Sequence, residues 1–333
     1  MKSRIQVYVK KWSISVSDKV ATCGSCFAQH IGRRMQANNF NFLDVEPPPH
    51  FVEPRDYVKN GYSIYSARYG NVYTSTQLLQ LFKRAFGLFQ CSETWSKTTD
   101  VGEVRFVDPF RPNLNPAGWG SGDEVLVEQV QHLSACRRLF SELDVLVFTM
   151  GLTECWYSKS TGAVYPIAPG VNGGVFDSEV HAFNNLTFQE VMDDMASFIE
   201  HLREVNPKAR LLLTVSPVPL TATAEDQHVL VASMHSKSVL RAVAGELARR
   251  FDFVDYFPSY EIVASVPFKG LFFQANLRTV HEEGVDFVMS HFFSQHSVDT
   301  RLLENTEVDS EEFCDEVFLD LARLSNGGQS AAV

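Results

Sequence analysis

Ser25 follows a glycine, Gly24, and stands directly before a helix-like run that begins Cys26-Phe27-Ala28-Gln29. A hydroxyl so placed is surrounded by unpaired backbone N–H groups and by the positive end of a helix dipole, a setting that steadies an oxyanion. The chemistry this allows is attack of the serine on a carbonyl, giving an acyl-enzyme. The same place also suits an ordinary N-cap serine, so spacing alone leaves both readings open. Three further polar turns follow apolar runs: Gly151-Leu152-Thr153-Glu154, Ser216-Pro217-Val218-Pro219 and Phe257-Pro258-Ser259-Tyr260-Glu261.

The runs before these turns must position them. Residues 19–23, 144–150, 210–215 and 251–256 are short, rich in Val, Leu and Phe, and scarcely alternate. Such segments suit strands buried on both faces. Helical patterns lie between them, over 26–38, about 235–250 and about 282–294. Another opens at the capping-box pair Thr187 and Glu190 and should stop near Asn206-Pro207. Alternating strands and helices predict an α/β fold with a mainly parallel central sheet and helices on both faces. All four turns then leave the carboxyl edge of the sheet and converge on one crevice, where such folds hold their ligands. Residues 1–310 read as a single domain with long loops near 96–123 and 159–186, and 311–333 as a C-terminal helix and frayed tail.

Composition narrows the function. The 333 residues carry a formal net charge of −11, which argues against phosphate-backbone or anionic-lipid partners. We therefore expect no nucleic-acid and no membrane partner. The N-terminus lacks the apolar core of a signal peptide, and no apolar run reaches transmembrane length. The six cysteines lack disulfide-framework or zinc-ribbon spacing, so a cytoplasmic location is expected. His291 and His296 are not at the i, i+4 spacing of a helical metal pair. The glycines at 118, 120 and 122 follow no strand and form no dinucleotide fingerprint. Neither a metal nor another cofactor is expected.

The string Gly24-Ser25-Cys26-Phe27-Ala28, with TVSPVPL at 214–220, Ser236-Lys237, DYFPSYEI at 255–262 and EEGVDFVM at 282–289, resembles the GSCFA family, which is assigned to the SGNH/GDSL hydrolase superfamily. The likeness runs from about 18 to 294. It implies a three-layer αβα fold with Ser25 as nucleophile. It also implies an oxyanion hole made by the serine N–H, a glycine of a second block and an asparagine. Arg68-Tyr69-Gly70-Asn71 is similar to that second block, which makes Gly70 a donor. The third block, usually Gly-x-Asn-Asp, reads Gly151-Leu152-Thr153-Glu154, with Thr153 or Asn71 as substitutes for the missing amide. The superfamily's Asp-x-x-His, which supplies the base and its orienting carboxylate, reads Asn276-Leu277-Arg278-Thr279. His281, His228, His235 and Glu154 remain as candidate bases.

Each candidate has a plainer reading beside the catalytic one. His281 could merely cap the last helix, and His228 and His235 could be surface histidines. Glu154 could pair with an arginine. Arg111, in a DPFRP segment, could clamp an anionic substrate or bond carbonyls of its own loop. Ser216, Ser236 and Lys237 read as hydrogen-bonding crevice residues. The leading function is an esterase or acyltransferase acting on an O-acylated small molecule or glycan. A ligand-binding protein that has lost turnover is the alternative. A thiol activity of the C-x-x-C at Cys23 and Cys26 is the third reading.

Overall fold

The computed structural model describes residues 6–296. In chain order its elements are β1 (Val20–Gly24), α1 (Phe27–Ala37), α2 (Ser75–Ala85), β2 (Trp95–Thr98), β3 (Val104–Val107), α3 (Gly122–Glu142), β4 (Val145–Met150) and β5 (Glu154–Ser158). They continue with β6 (Val164–Tyr165), β7 (His181–Asn185), α4 (Phe188–Val205), β8 (Arg210–Val215), α5 (Val229–Arg250), β9 (Val254–Tyr256), α6 (Ser259–Ala264) and α7 (Glu282–Gln295). The central sheet has the order β1-β4-β8-β9 and is parallel throughout.

Both faces of that sheet are covered, which is why its strands do not alternate in polarity. Ala21, Leu146, Phe148, Leu211 and Leu213 join the core beneath α2, α3, α4 and α5. Their sequence neighbours Val20, Val145, Val147 and Leu212 point the other way, into the core with Phe27 and Ile31 of α1 and Val288 and Phe292 of α7. The result is the expected α/β architecture of helices on both sides of a parallel sheet. The expected capping box of α4 is present, with the Thr187 side chain accepting from Glu190 N and the Glu190 side chain accepting from Thr187 N.

The two stretches expected to be long loops contain regular structure. Residues 96–123 hold most of the antiparallel β2–β3 hairpin and the start of α3, capped by Ser121. Residues 159–186 hold β6 and β7, which flank β5 in a small antiparallel sheet. Two-residue and four-residue strands are too short for a hydrophobic period to show. The helix and tail expected at 311–333 lie outside the described residues. No described helix is long and apolar enough to cross a membrane.

One close approach fixes the upper end of the sheet. Gly24 pairs with Thr149 of β4 at φ +140°, and a Cβ on Gly24 would lie 2.7 Å from the Thr149 amide nitrogen. A side chain there is opposed by both the backbone angle and the neighbouring strand. Gly24→Ala is therefore expected to lower stability by at least about 2 kcal/mol in urea unfolding. A variant as stable as wild type would show that the two strands part easily here.

Candidate active site

Residues immediately past three of the four central strands meet. Ser25 after β1, Gly151 after β4 and Ser216 after β8 line one pocket, together with Cys26, Tyr73, Leu152, Val218, Pro219, Leu220 and Lys237. The turn after β9 takes another course. Phe257 is buried in the core under α7, and Ser259 Oγ lies 2.6 Å from Thr214 Oγ1 and donates to Val215 O at 2.9 Å.

Backbone bonds past the strand ends hold the pocket floor. Ser25 N donates to Thr149 O at 3.0 Å and Ser216 N to Met150 O at 2.9 Å. The chain segment 65–73 runs past the end of β1. Val72 N donates to Gly24 O at 2.9 Å, while Gly151 N and Leu152 N donate to Tyr73 O at 2.9 and 3.2 Å. The Tyr65 hydroxyl bonds Asn71 Oδ1 and reaches the Ser25 carbonyl at 3.4 Å. Gly151 is a glycine for lack of room, since a Cβ would lie 3.0 Å from Tyr73 Cδ1 and 3.1 Å from Ser25 Cβ.

Ser25 is not an N-cap. The cap position of α1 is Cys26, with no side-chain cap bond, and Ser25 Oγ finds no hydrogen-bond partner among the described residues although Ser25 is only 3 % exposed. A buried hydroxyl left unpaired costs about 1–3 kcal/mol, and such groups concentrate where a ligand or reacting group completes them. The serine N–H, expected in the oxyanion hole, is engaged by Thr149 O. The orphan amides at the start of α1, those of Cys26 and Phe27, are the donors that the helix end offers instead.

Among the described residues, Lys237 is the one basic side chain lining the pocket. It is 4 % exposed, and its Nζ donates to Gly151 O at 2.6 Å, the carbonyl of the residue that abuts Ser25. Its neighbour Ser236 accepts from Thr153 N at 2.9 Å, and Ser233 accepts from Leu220 N at 3.0 Å. One face of α5 thus clamps the turns after β4 and β8. Ser236 and Lys237 were expected as crevice residues from the sequence, and the fold adds Ser233 on the same face.

The remaining candidates lie elsewhere. His281 is exposed at the cap position of α7, makes no side-chain cap bond, and lines a different surface pocket with Gln274, Thr279 and Glu282. His228 is exposed and caps α5, its Nδ1 accepting from Leu230 N at 3.2 Å. His235 is exposed. Glu154 is held by the 223–224 segment, accepting from Thr223 Oγ1 at 2.6 Å and Ala224 N at 3.3 Å. Burial raises its carboxyl above the usual range against the pull of those two bonds. Thr153 is fully buried, and its hydroxyl donates to Asn185 Oδ1 at 2.6 Å. Gly70, Asn71 and Arg111 line a neighbouring cavity. Arg111 Nε donates to Asp108 Oδ2 at 2.7 Å and its Nη1 to Arg68 O at 3.4 Å.

Asn276 and Thr279 stand where the resemblance implied an acid and a base. Asn276 Nδ2 donates to Thr279 Oγ1 at 2.9 Å, and Asn276 Oδ1 accepts from the Arg278 and Thr279 amides. The two side chains are joined as an acid and a base would be, yet neither can take a proton near neutral pH.

Cys23 and Cys26 are both free thiols. Burial drives the Cys23 thiol far above its ordinary value, so this sulfur is held as a thiol. Among the described residues no group of three or more His, Cys, Asp or Glu could hold a metal ion.

The model of the GSCFA family matches residues 19–292, a span that takes in the whole parallel sheet and most of α7. No curated protein matches the chain.

Because its hydroxyl is buried and unpaired, Ser25 should cost stability where it stands. Ser25→Ala is expected to leave the protein as stable as wild type or up to about 2 kcal/mol more stable in urea unfolding. A loss above about 1 kcal/mol would show that Oγ has a structural partner after all.

Proposed function

The chain belongs to the GSCFA family, and from that membership and the pocket at Ser25 we propose that it is a serine-dependent ester hydrolase or O-acyltransferase of the SGNH/GDSL type. Its substrate is an O-acylated small molecule or glycan. The observation that carries this reading is the unpartnered, buried Ser25 Oγ in a pocket whose one basic lining side chain is Lys237.

Lys237 in its neutral form takes the Ser25 proton as Oγ attacks the acyl carbonyl. The Oγ–C bond forms, and the charge on the carbonyl oxygen is met by the amides that open α1. The C–O bond to the leaving alcohol then breaks, and that oxygen receives the proton from Lys237. Water or a second alcohol frees the acyl group by the reverse sequence, which makes hydrolysis and transfer one mechanism with two acceptors. A lysine base accounts for a site that carries Asn276 and Thr279 where related enzymes carry an acid and a histidine.

That same replacement favours a second reading, a binding protein that holds an ester or alcohol in this pocket without turnover. Hydrolysis of an aryl acetate separates the two. The esterase reading predicts turnover whose rate rises with pH, because only the unprotonated amine accepts a proton. Ser25→Ala should have none, and Lys237→Met should be slower by about 10²–10⁴-fold. Turnover that survives Ser25→Ala would contradict it. Saturable binding of the ester with no product would replace it with the binding reading.

A further inference from the structure

Behind the 65–73 segment lies a second cavity, lined by Tyr69, Asn71, Arg84, Phe110, Arg111 and His132 among others. It contains two arginines that the reaction at Ser25 does not use. Arg84, in the last turn of α2, is 8 % exposed. Its guanidinium lies 3.6 Å from the centre of the Phe110 ring, and its buried Nε has no hydrogen-bond partner among the described residues. No carboxylate of the described residues stands within ion-pair distance of it. Arg111 is 3 % exposed. It pairs with Asp108 through Nε, but its buried Nη2 has no hydrogen-bond partner among the described residues.

The acids nearby are committed to other groups. Asp108 accepts from Arg111, from Gln129 Nε2 at 3.0 Å and from the Phe110 amide at 3.0 Å. Glu46 is turned to His132 Nδ1 at 2.7 Å and to the Arg68 amide at 2.6 Å, and Glu128 meets Arg68 at 3.5 Å. A guanidinium taken out of water without a contacting counter-ion is strongly unfavourable. Burial indeed lowers the Arg84 pKa, although the charge of Asp108 opposes that. Two planar guanidinium groups that line one cavity, each with an N–H donor unpartnered among the described residues, match the spaced oxygens of an oxyanion. The cavity measures about 30 Å³, the space of roughly two or three ordered waters, so it suits the anionic end of a ligand and not a whole sugar.

We infer that this cavity is a binding site for a small oxyanion, a phosphate or carboxylate group, held by the unpaired N–H groups of Arg84 and Arg111. The site stands independently of any chemistry at Ser25. When it fills, the anion supplies the missing contact to Arg84 and completes the donors of Arg111.

The test is calorimetric titration of the full chain with sodium phosphate and, separately, sodium acetate, with ionic strength held constant by chloride. Wild type should bind at least one of them saturably. Phosphate alone would identify a tetrahedral ligand, and acetate alone a carboxylate. Arg84→Met should bind the same anion about ten-fold or more weakly, while its own stability in chloride equals or exceeds that of wild type, because an unmatched buried charge has gone. Should that variant fail to fold, Arg84→Lys keeps the charge and loses the planar fork, and weaker binding by several-fold is expected. The proposal is overturned if wild type binds neither anion saturably, or if binding is unchanged in the Arg84 variant that folds.

Discussion

The contact between Gly24 and Thr149 decides where everything else in the site can be. With no side chain at 24, β1 runs against β4 to its last residue, and the next amide, Ser25 N, continues the ladder to Thr149 O at 3.0 Å. The chain must then turn at once into α1. Ser25 is left at the junction, its backbone tied into the sheet and its hydroxyl facing the space over the strand ends. A bulkier residue at 24 would separate the strands and release the serine.

Rigidity at that junction comes from three directions. The sheet holds Ser25 through Thr149, the 65–73 segment holds it through Tyr65 and Val72, and α5 holds the opposing wall through Ser236 and Lys237. Gly151 lies between these supports, giving its amide to Tyr73, its carbonyl to Lys237 and its bare α-carbon to the Ser25 side chain. Such a frame keeps a hydroxyl in one orientation at little further entropic cost when a substrate arrives.

Much of this was legible in the chain. The four central strands show as short runs, rich in Val, Leu and Phe, that scarcely alternate because helices cover both faces of the sheet, and Ser25 shows because a glycine, a serine and a helix start are adjacent in sequence. The antiparallel pieces β2–β3 and β5–β7 escaped, being two to five residues long and set in Gly- and Pro-rich surroundings. The start of α3 had a readable signal in Ser121 followed three residues later by Glu124, hidden by the loop-like residues before it. Lys237 was legible as a crevice residue but not as a base, and Arg84 could not be read. Each sits on a helix among polar neighbours that favour a solvated face. Only the packing of α5 on the turns, and of α2 against the 108–113 loop, turns those two cations inward. The Asn276–Thr279 pair was visible as a departure from the pattern the resemblance implied, but its side-chain bond was not.

The central claim is that Ser25 is an activated nucleophile without a histidine. Its most direct test is exposure of the intact protein to a fluorophosphonate, read by whole-protein mass. Wild type is predicted to gain one covalent adduct, faster as pH rises, and Ser25→Ala to gain none. Adduct formation of equal extent on both proteins would contradict the account, as would a wild-type protein that stays unmodified across the pH range in which it remains folded.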